Sequence, residues 1–473
     1  MKKIIINSVA IMLLMVSFTS CNDAIDIEPV DQLTPEITFE TVDDLQQGLN
    51  GVYGQYGFEA DITFNSVFAD NCKVGFDNGG QLINLYNWVM TAGTAQSTTL
   101  WTTYYSMING ANRILEASDL IDVDPADQAQ LANIRGQLYA LRAAAHYHLL
   151  TYFTTDYSDE NALSIIISDE VPIVTDVFPR NTTGEVFDFI ESDLELASSL
   201  IATSQTDITR ATRDFVTGLR ARVSLLRGQN GLAMSYAQDL IDAYPLANQS
   251  QYFGMFADTD NTEVIMKLAR PSSLVSGIWY FTNSAGPFME ASNSLYDSFD
   301  PSDIRLQTCI NFSTNNAGPS EPENNIHLIN KYPGNPSGFI SDIKNMRVSE
   351  MHLIKAEAQA LSGDFEDCAI TLKGIRDARL GTSTDLDVYT GVAQAASAVL
   401  LERRKELAFE GQRYLDIKRL RSVVGQGIVR AEIDCQNGGN CVLPISDQRF
   451  TLPIPQVELN ANPGITQNPG YGN

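Results

Sequence analysis

Two clusters in the sequence set flat aromatic rings beside polar side chains. Trp279, Tyr280 and Phe281 stand consecutively, with Asn283 two positions on, and Phe76, Asp77 and Asn78 form an earlier cluster. Aromatic faces pack against the C–H face of a pyranose, and neighbouring amides and carboxylates hydrogen-bond its hydroxyls. Side chains alternate along an extended segment, so three consecutive rings cannot all face a core. Both clusters are candidate ligand contacts; the competing expectation is that each ring packs within its own loop.

Residue types that would do covalent or metal chemistry lack the spacing for it. Of the four histidines, His146 and His148 lie two apart on a predicted helix and point to different faces, whereas paired metal ligands need an i, i+4 spacing. The remaining two, His327 and His352, stand alone. The sequence contains no Gly-x-Ser-x-Gly elbow, phosphate-cradling Gly-Lys-Ser/Thr loop or dinucleotide fingerprint. Asp258, Asp260 and Glu263 faintly resemble a calcium loop, but the required glycine and distant glutamate are missing, so they read as a solvated acidic turn. With 58 acidic residues, no carboxylate pair is singled out for glycosidic chemistry. No catalytic residue, metal or cofactor is assigned, and the reading is a binding protein rather than an enzyme.

Cys21 has chemistry of its own. Lys2 and Lys3 precede an apolar run from Ile4 to Phe18, followed by Thr19, Ser20 and Cys21. A membrane-spanning helix needs about 20 apolar residues; this run is shorter, carries Asn7 and Ser8, and ends in small residues. That pattern predicts a signal peptide over residues 1–20, with Cys21 as the lipidated first residue of the mature chain. A lipid anchor would hold the body in water beside a membrane. Loss of residues 1–20, whose only charges are Lys2 and Lys3, moves the formal charge from −27 to −29. Nucleic acid is repelled by such a surface and is not an expected partner. Among the other five cysteines, Cys435 and Cys441 flank Gly438 and Gly439. They either form a local disulfide in an oxidising compartment or remain free thiols.

Helices must position these residues. Residues 21–41 are acidic and aperiodic, a lipidated tether. From Val42 a helical period begins, with Leu45, Leu49 and Val52 on one face, and amphipathic stretches follow over Leu100–Leu115, Ala129–Phe153 and Thr183–Ile201. The stretch from Val216 aligns with that from Met351: Leu219 with Ile354, Ala221 with Ala356, Gly228 with Gly363, and Ala233 with Cys368. Glycine ends the first helix in a left-handed turn, and the small residues let an antiparallel second helix approach. This is a dispersed tetratricopeptide-like pattern. Residues 270–345, rich in Ser, Asn, Gly and Pro, are predicted to be irregular, and the proline-rich tail from Pro453 is predicted to be extended.

Leu401 to Leu420 reads LERRKELAFEGQRYLDIKRL, and Leu452 to Tyr471 reads LPIPQVELNANPGITQNPGY. The charged stretch predicts one helix with Leu400, Leu407 and Tyr414 on a face and the pairs Glu402–Lys405, Arg403–Glu406 and Glu410–Arg413, a scaffold of partly buried ion pairs. Gly411 within it costs about 1 kcal/mol relative to Ala and implies a close packing contact. Both strings resemble the SusD/RagB family, as do Trp101–Tyr105 with Asn109, Ala111, Asn112 and Arg113, and Tyr296 with Asp303 and Arg305. The acidic Asp23, Asp26 and Glu28 resemble surface-export signals of anchored lipoproteins.

The resemblance implies a mostly α fold, a tetratricopeptide-like scaffold with long irregular loop insertions. It divides the mature chain into an N-terminal helical region (residues 42–265) and a C-terminal region (residues 266–473) packed as one unit. It further implies a cell-surface lipoprotein of the outer membrane that binds an oligomeric nutrient and delivers it to a SusC-like TonB-dependent transporter. A glycan is the favoured ligand, with an oligopeptide, or a purely structural transporter subunit, as alternatives.

Overall fold

A computed structural model describes residues 39–472 apart from 174, 273, 280, 282–285, 312–320, 322–323, 334–339 and 436–439. Helix α1 (Val42–Gly54) starts at a capping box: Thr41 accepts the Asp44 amide and Asp44 accepts the Thr41 amide. Its stripe of Leu45, Leu49 and Val52 is buried, as the period predicts. After α2 (Glu59–Phe68), the long helices α3 (Ala95–Leu120) and α4 (Gln128–Phe153) pack on each other, and α5 (Thr183–Leu200) packs on α4. The aligned repeats form α6 (Arg213–Leu226) with α7 (Asn230–Ala243), and, beyond α8 (Gln249–Phe256) and α9 (Ile304–Cys309), α10 (Val348–Ser362) with α11 (Phe365–Leu380). The two turn glycines have φ of 78° and 88°, a left-handed backbone that favours glycine. Ala233 and Cys368 are fully buried where the second helices approach. Helix α10 also packs against α7, bringing the distant copies side by side.

The charged stretch is not one helix. It breaks between α12 (Val392–Glu406) and α13 (Arg413–Val424), with left-handed Phe409 (φ 63°) and Gly411 (φ 75°) in the bend. A Cβ on Gly411 would stand 3.0 Å from the Phe58 ring, so the close contact is real and its cause is the bend. The tail differs too: α14 (Gln456–Ala461) forms between Pro455 and Pro463. Pro455 sits at the N-cap, where its missing N–H costs nothing. Among the described residues no helix is long and apolar enough to cross a membrane.

The bend brings acids and bases from five segments together. Glu406 accepts from Arg347 (3.0 Å), Arg379 (2.9 Å) and Arg305 (3.3 Å), and Glu263 accepts from Arg347 (2.9 Å) and Arg379 (2.6 Å). Arg305 also donates to Asp303 and Glu402, and Arg347 to Glu410. Every one of these side chains is buried. The arginines outweigh the cost of burial and hold the Glu402 carboxyl down to about 2, and Glu406 well below the usual carboxylate range. Glu402–Lys405 forms as spaced, at 3.9 Å. Arg403 instead pairs with Asp416 (2.8 Å), since both oxygens of Glu406 are taken by Arg305, Arg347 and Arg379, and Arg413 pairs with Asp70 (2.7 Å), since the bend separates it from Glu410. The acidic turn departs from expectation at Glu263, which is a core ion and not solvated.

Strands are short and pair antiparallel: β1 (Cys72–Val74) with β3 (Met289–Ala291), β2 (Val264–Leu268) with β4 (Ile343–Arg347), and β5 (Ile428–Val429) with β6 (Val442–Leu443). One hydrophobic core extends from Val42 to Ile465, and a smaller one lies between α10, α11 and α12.

Candidate functional site

The β1–β3 ladder joins the two aromatic clusters, which lie some two hundred positions apart in the chain. Lys73 stands opposite Glu290 and Val74 opposite Met289. Gly75 continues the pairing by donating to Phe288 O at 2.9 Å. A Cβ there would stand 2.2 Å from Pro287 O, so only glycine admits this approach. The chain then turns outward and presents Phe76, which is 55% exposed. Phe281, half-buried, meets it edge to face with ring centroids 5.9 Å apart.

Polar groups fix this junction. The Phe76 amide donates to Glu290 Oε1 at 2.8 Å, and Asp77 Oδ2 accepts the Gly286 amide at 3.0 Å. Asn78 is buried and spends its amide on Gln81 O (2.8 Å) and Phe288 O (2.7 Å). Of the predicted contacts, Phe76, Asp77 and Phe281 share an accessible rim, whereas Asn78 is a turn-former behind it. Trp279 is a correction: it is fully buried against Phe409 at 5.7 Å, because Ile278 O accepts the Met289 amide and draws the segment inward. Its Nε1 has no hydrogen-bond partner among the described residues. Tyr280, Asn283 and Cys21 lie outside the described residues.

Sequence reasoning missed the groups beneath the rim. Lys73 reaches Glu290 (3.5 Å) and Asn325 Oδ1 (2.9 Å), and Glu290 Oε2 accepts the His327 amide at 3.2 Å. The His327 ring stacks on half-buried Tyr296 at 4.2 Å, and its Nε2 lies 3.0 Å from Asn293 Oδ1. Burial, with Lys73 nearby, pushes His327 down to about 4, so the ring is neutral at pH 7. No spacing rule links residues 73, 290 and 327; only the ladder does. Beyond Gly80 a cavity of about 360 Å³ opens, lined by Leu82, Ile83, Val89, Thr94 and Gln96. This face can stack a ring and hydrogen-bond hydroxyls or amides at its edge. Among the described residues no three His, Cys, Asp or Glu side chains gather as a metal site.

A family model described as "SusD family" matches residues 313–471, and another, "Starch-binding associating with outer membrane", matches residues 25–225. The chain belongs to the SusD/RagB family. SusD-like protein P2 of Formosa agariphila is 25% identical over 522 aligned positions, covering 98% of this chain and 99% of that one. A SusD superfamily protein of Bacteroides thetaiotaomicron superposes with a TM-score of 0.76 at 23% identity, over 91% of this chain and all of that one. A SusD-like carbohydrate binding protein of Bacteroides vulgatus gives 0.74 at 21%, over 90% and 98%. These structural likenesses show the SusD fold, and with it the helical scaffold with inserted loops. Within that fold, the family-like residues Asp303, Arg305, Glu402 and Glu406 belong to the buried ion cluster and not to the Phe76 rim.

Proposed function

We propose that this SusD/RagB protein is a surface lipoprotein of the outer membrane, anchored through Cys21 after removal of residues 1–20 and tethered through residues 21–41. It binds a glycan at the face bearing Phe76, Asp77 and Phe281 and passes it to a SusC-like TonB-dependent transporter. No catalytic role is assigned to it. The observation that carries this reading is the exposed Phe76 ring, set edge to face against Phe281 with the exposed Asp77 carboxylate next to it in the chain. An exposed ring gains apolar contact when a pyranose stacks on it, and among the described residues Asp77 meets only the Gly286 amide, through Oδ2, so its Oδ1 is the oxygen proposed for a hydroxyl. The family description of starch binding at the outer membrane supports the ligand class and the compartment.

An oligopeptide ligand is favoured by one observation, the burial of Trp279, which leaves fewer large rings at the rim. Affinity electrophoresis and calorimetry of the soluble form begun at Asn22, against polysaccharides and oligopeptides, separate the two. A glycan retarding the wild type but not Phe76→Ala is the expected result; peptide binding alone overturns the glycan reading. The anchor is tested independently: Cys21→Ala should leave the membrane fraction, and its persistence there would exclude lipidation at Cys21.

A further inference from the structure

The segment from Ala69 to Tyr86 carries the Phe76 rim, and a single side chain holds both of its ends. Arg430 Nε donates to Ala69 O at 2.9 Å while Nη1 donates to Tyr86 O at 2.6 Å. Nη2 adds Val67 O (3.1 Å) and Phe68 O (2.9 Å), the last carbonyls of α2 and so open to an outside donor. The guanidinium also lies over the Tyr86 and Trp88 rings, 3.8 and 4.2 Å from their centroids. Five donors in a rigid plane reach both ends at once, which a lysine ammonium cannot do.

Arg430 is itself held by a closed hairpin. Its amide donates to Cys441 O at 2.8 Å beside the β5–β6 pair, and Cys435 is disulfide-bonded to Cys441 with Cα atoms 5.5 Å apart. The hairpin grips the loop elsewhere too. Asn440 donates to Asn87 through its amide (3.2 Å) and its side chain (3.1 Å), and Tyr86 Oη donates to Asp434 O at 2.8 Å. Asp434 Oδ1 accepts the Asn293 amide at 3.0 Å, and Asn293 meets His327 under the rim. A disulfide closing so short a loop constrains the unfolded chain less than one closing a long loop. Its place against residues 69–88 and 293 accounts for it better than its ring size.

We propose that the β5–β6 pair, tied by the Cys435–Cys441 disulfide, is a brace that sets the geometry of the ligand-bearing loop, with Arg430 the positioning residue that closes the loop's base. The proposal rests on the ligand-face reading only for what is being positioned. A helix cap alone would need the bonds to Val67–Ala69 but not those to Tyr86 and Asn87. Lysine at position 430 keeps the charge over the rings yet reaches one end of the loop.

Hydrogen exchange of the mature chain, begun at Asn22 and free of ligand, tests this with Arg430→Lys and with the Cys435→Ser/Cys441→Ser double variant. Expected is a rise in exchange of about tenfold or more over residues 70–88 in both, with α4, α10 and α11 within about twofold of wild type. Wild-type protection of residues 70–88 in Arg430→Lys would overturn the role of the guanidinium, and the same in the double variant would overturn the brace. A uniform loss across the chain in both variants also overturns it, because the hairpin would then support the whole fold. If Arg430→Lys fails to fold, the double variant decides. Because no ligand enters the measurement, a chain that binds no glycan can still show the brace.

Discussion

The Glu406 cluster and the Phe76 rim use the same kinds of side chain, carboxylates, cations and aromatic rings, with opposite results. Glu406 is buried and bonded by three arginines, one of which, Arg379, lies over the Tyr252 ring at 4.2 Å. Among the described residues Asp77 meets one backbone amide, and the ring next to it is mostly in solvent. A carboxylate whose every oxygen is bonded within the protein has nothing left for a ligand; a half-bonded one at an open edge does. The family-like charged residues are therefore scaffold, and the proposed binding face consists of residues that no motif marks.

Removing the charge at the centre of the scaffold is the severest way to probe that contrast. Glu406→Ala leaves three buried guanidiniums short of a partner, and breaking a buried pair in this way costs about 3–5 kcal/mol. Urea unfolding at pH 7 should show a loss in that range; a loss below about 1 kcal/mol would mean that the cluster relaxes into water and is no scaffold. Trp279→Ala comes next. A fully buried indole replaced by alanine costs about 3–5 kcal/mol, so this variant should lose stability before it loses ligand. Wild-type stability with weakened glycan binding would return Trp279 to the rim.

Acid probes both regions more gently. The folded protein holds His146 down to about 3 and His327 and His352 to about 4, chiefly by burial, against 6.5 in the free side chain. The unfolded chain therefore binds these protons first, so stability is full above pH 6.5 and falls as pH drops toward 4. Glu402 and Glu406 add a second limb: their pKa values are depressed from 4.5, so stabilisation present above that value is lost as pH falls toward 2. Urea midpoints at pH 8, 6, 5, 4 and 3 should decline across both windows, and Glu406→Gln should shallow only the second. A midpoint constant from pH 8 to 4 would contradict the first.

The scaffold was more legible than the site, for a physical reason. Helical periods and turn glycines are local signals, so Leu45, Leu49, Val52, Gly228 and Gly363 declared their roles within a few residues of chain. The break at Phe409–Gly411 was not legible, because an apolar seven-residue spacing reads the same across a bend as along a helix. At the rim, Phe76 and Phe281 could be nominated by type, but their meeting depends on a three-residue ladder between segments two hundred positions apart. Trp279 was misread because neighbouring positions in a short segment divide between core and surface, and nothing local says which ring goes inward. Lys73, Glu290 and His327 had no local signal at all.

The mildest perturbation is the one that distinguishes site from scaffold. Phe76→Ala removes a ring that is 55% exposed and that, among the described residues, meets one other ring, that of Phe281. Surface substitutions of this kind stay within about 0.5 kcal/mol of wild type, and an aromatic pair contributes about 0.5–1.5 kcal/mol beyond its buried area. A loss of no more than about 1 kcal/mol in urea is expected, together with a large loss of affinity for whichever glycan retards the wild type. If stability falls by more than about 2 kcal/mol, Phe76 is holding its own loop together and the rim is a packing junction like the one under Glu406. If stability and affinity both stay at wild-type values, the ring is idle, and the ligand contacts must lie elsewhere on the surface.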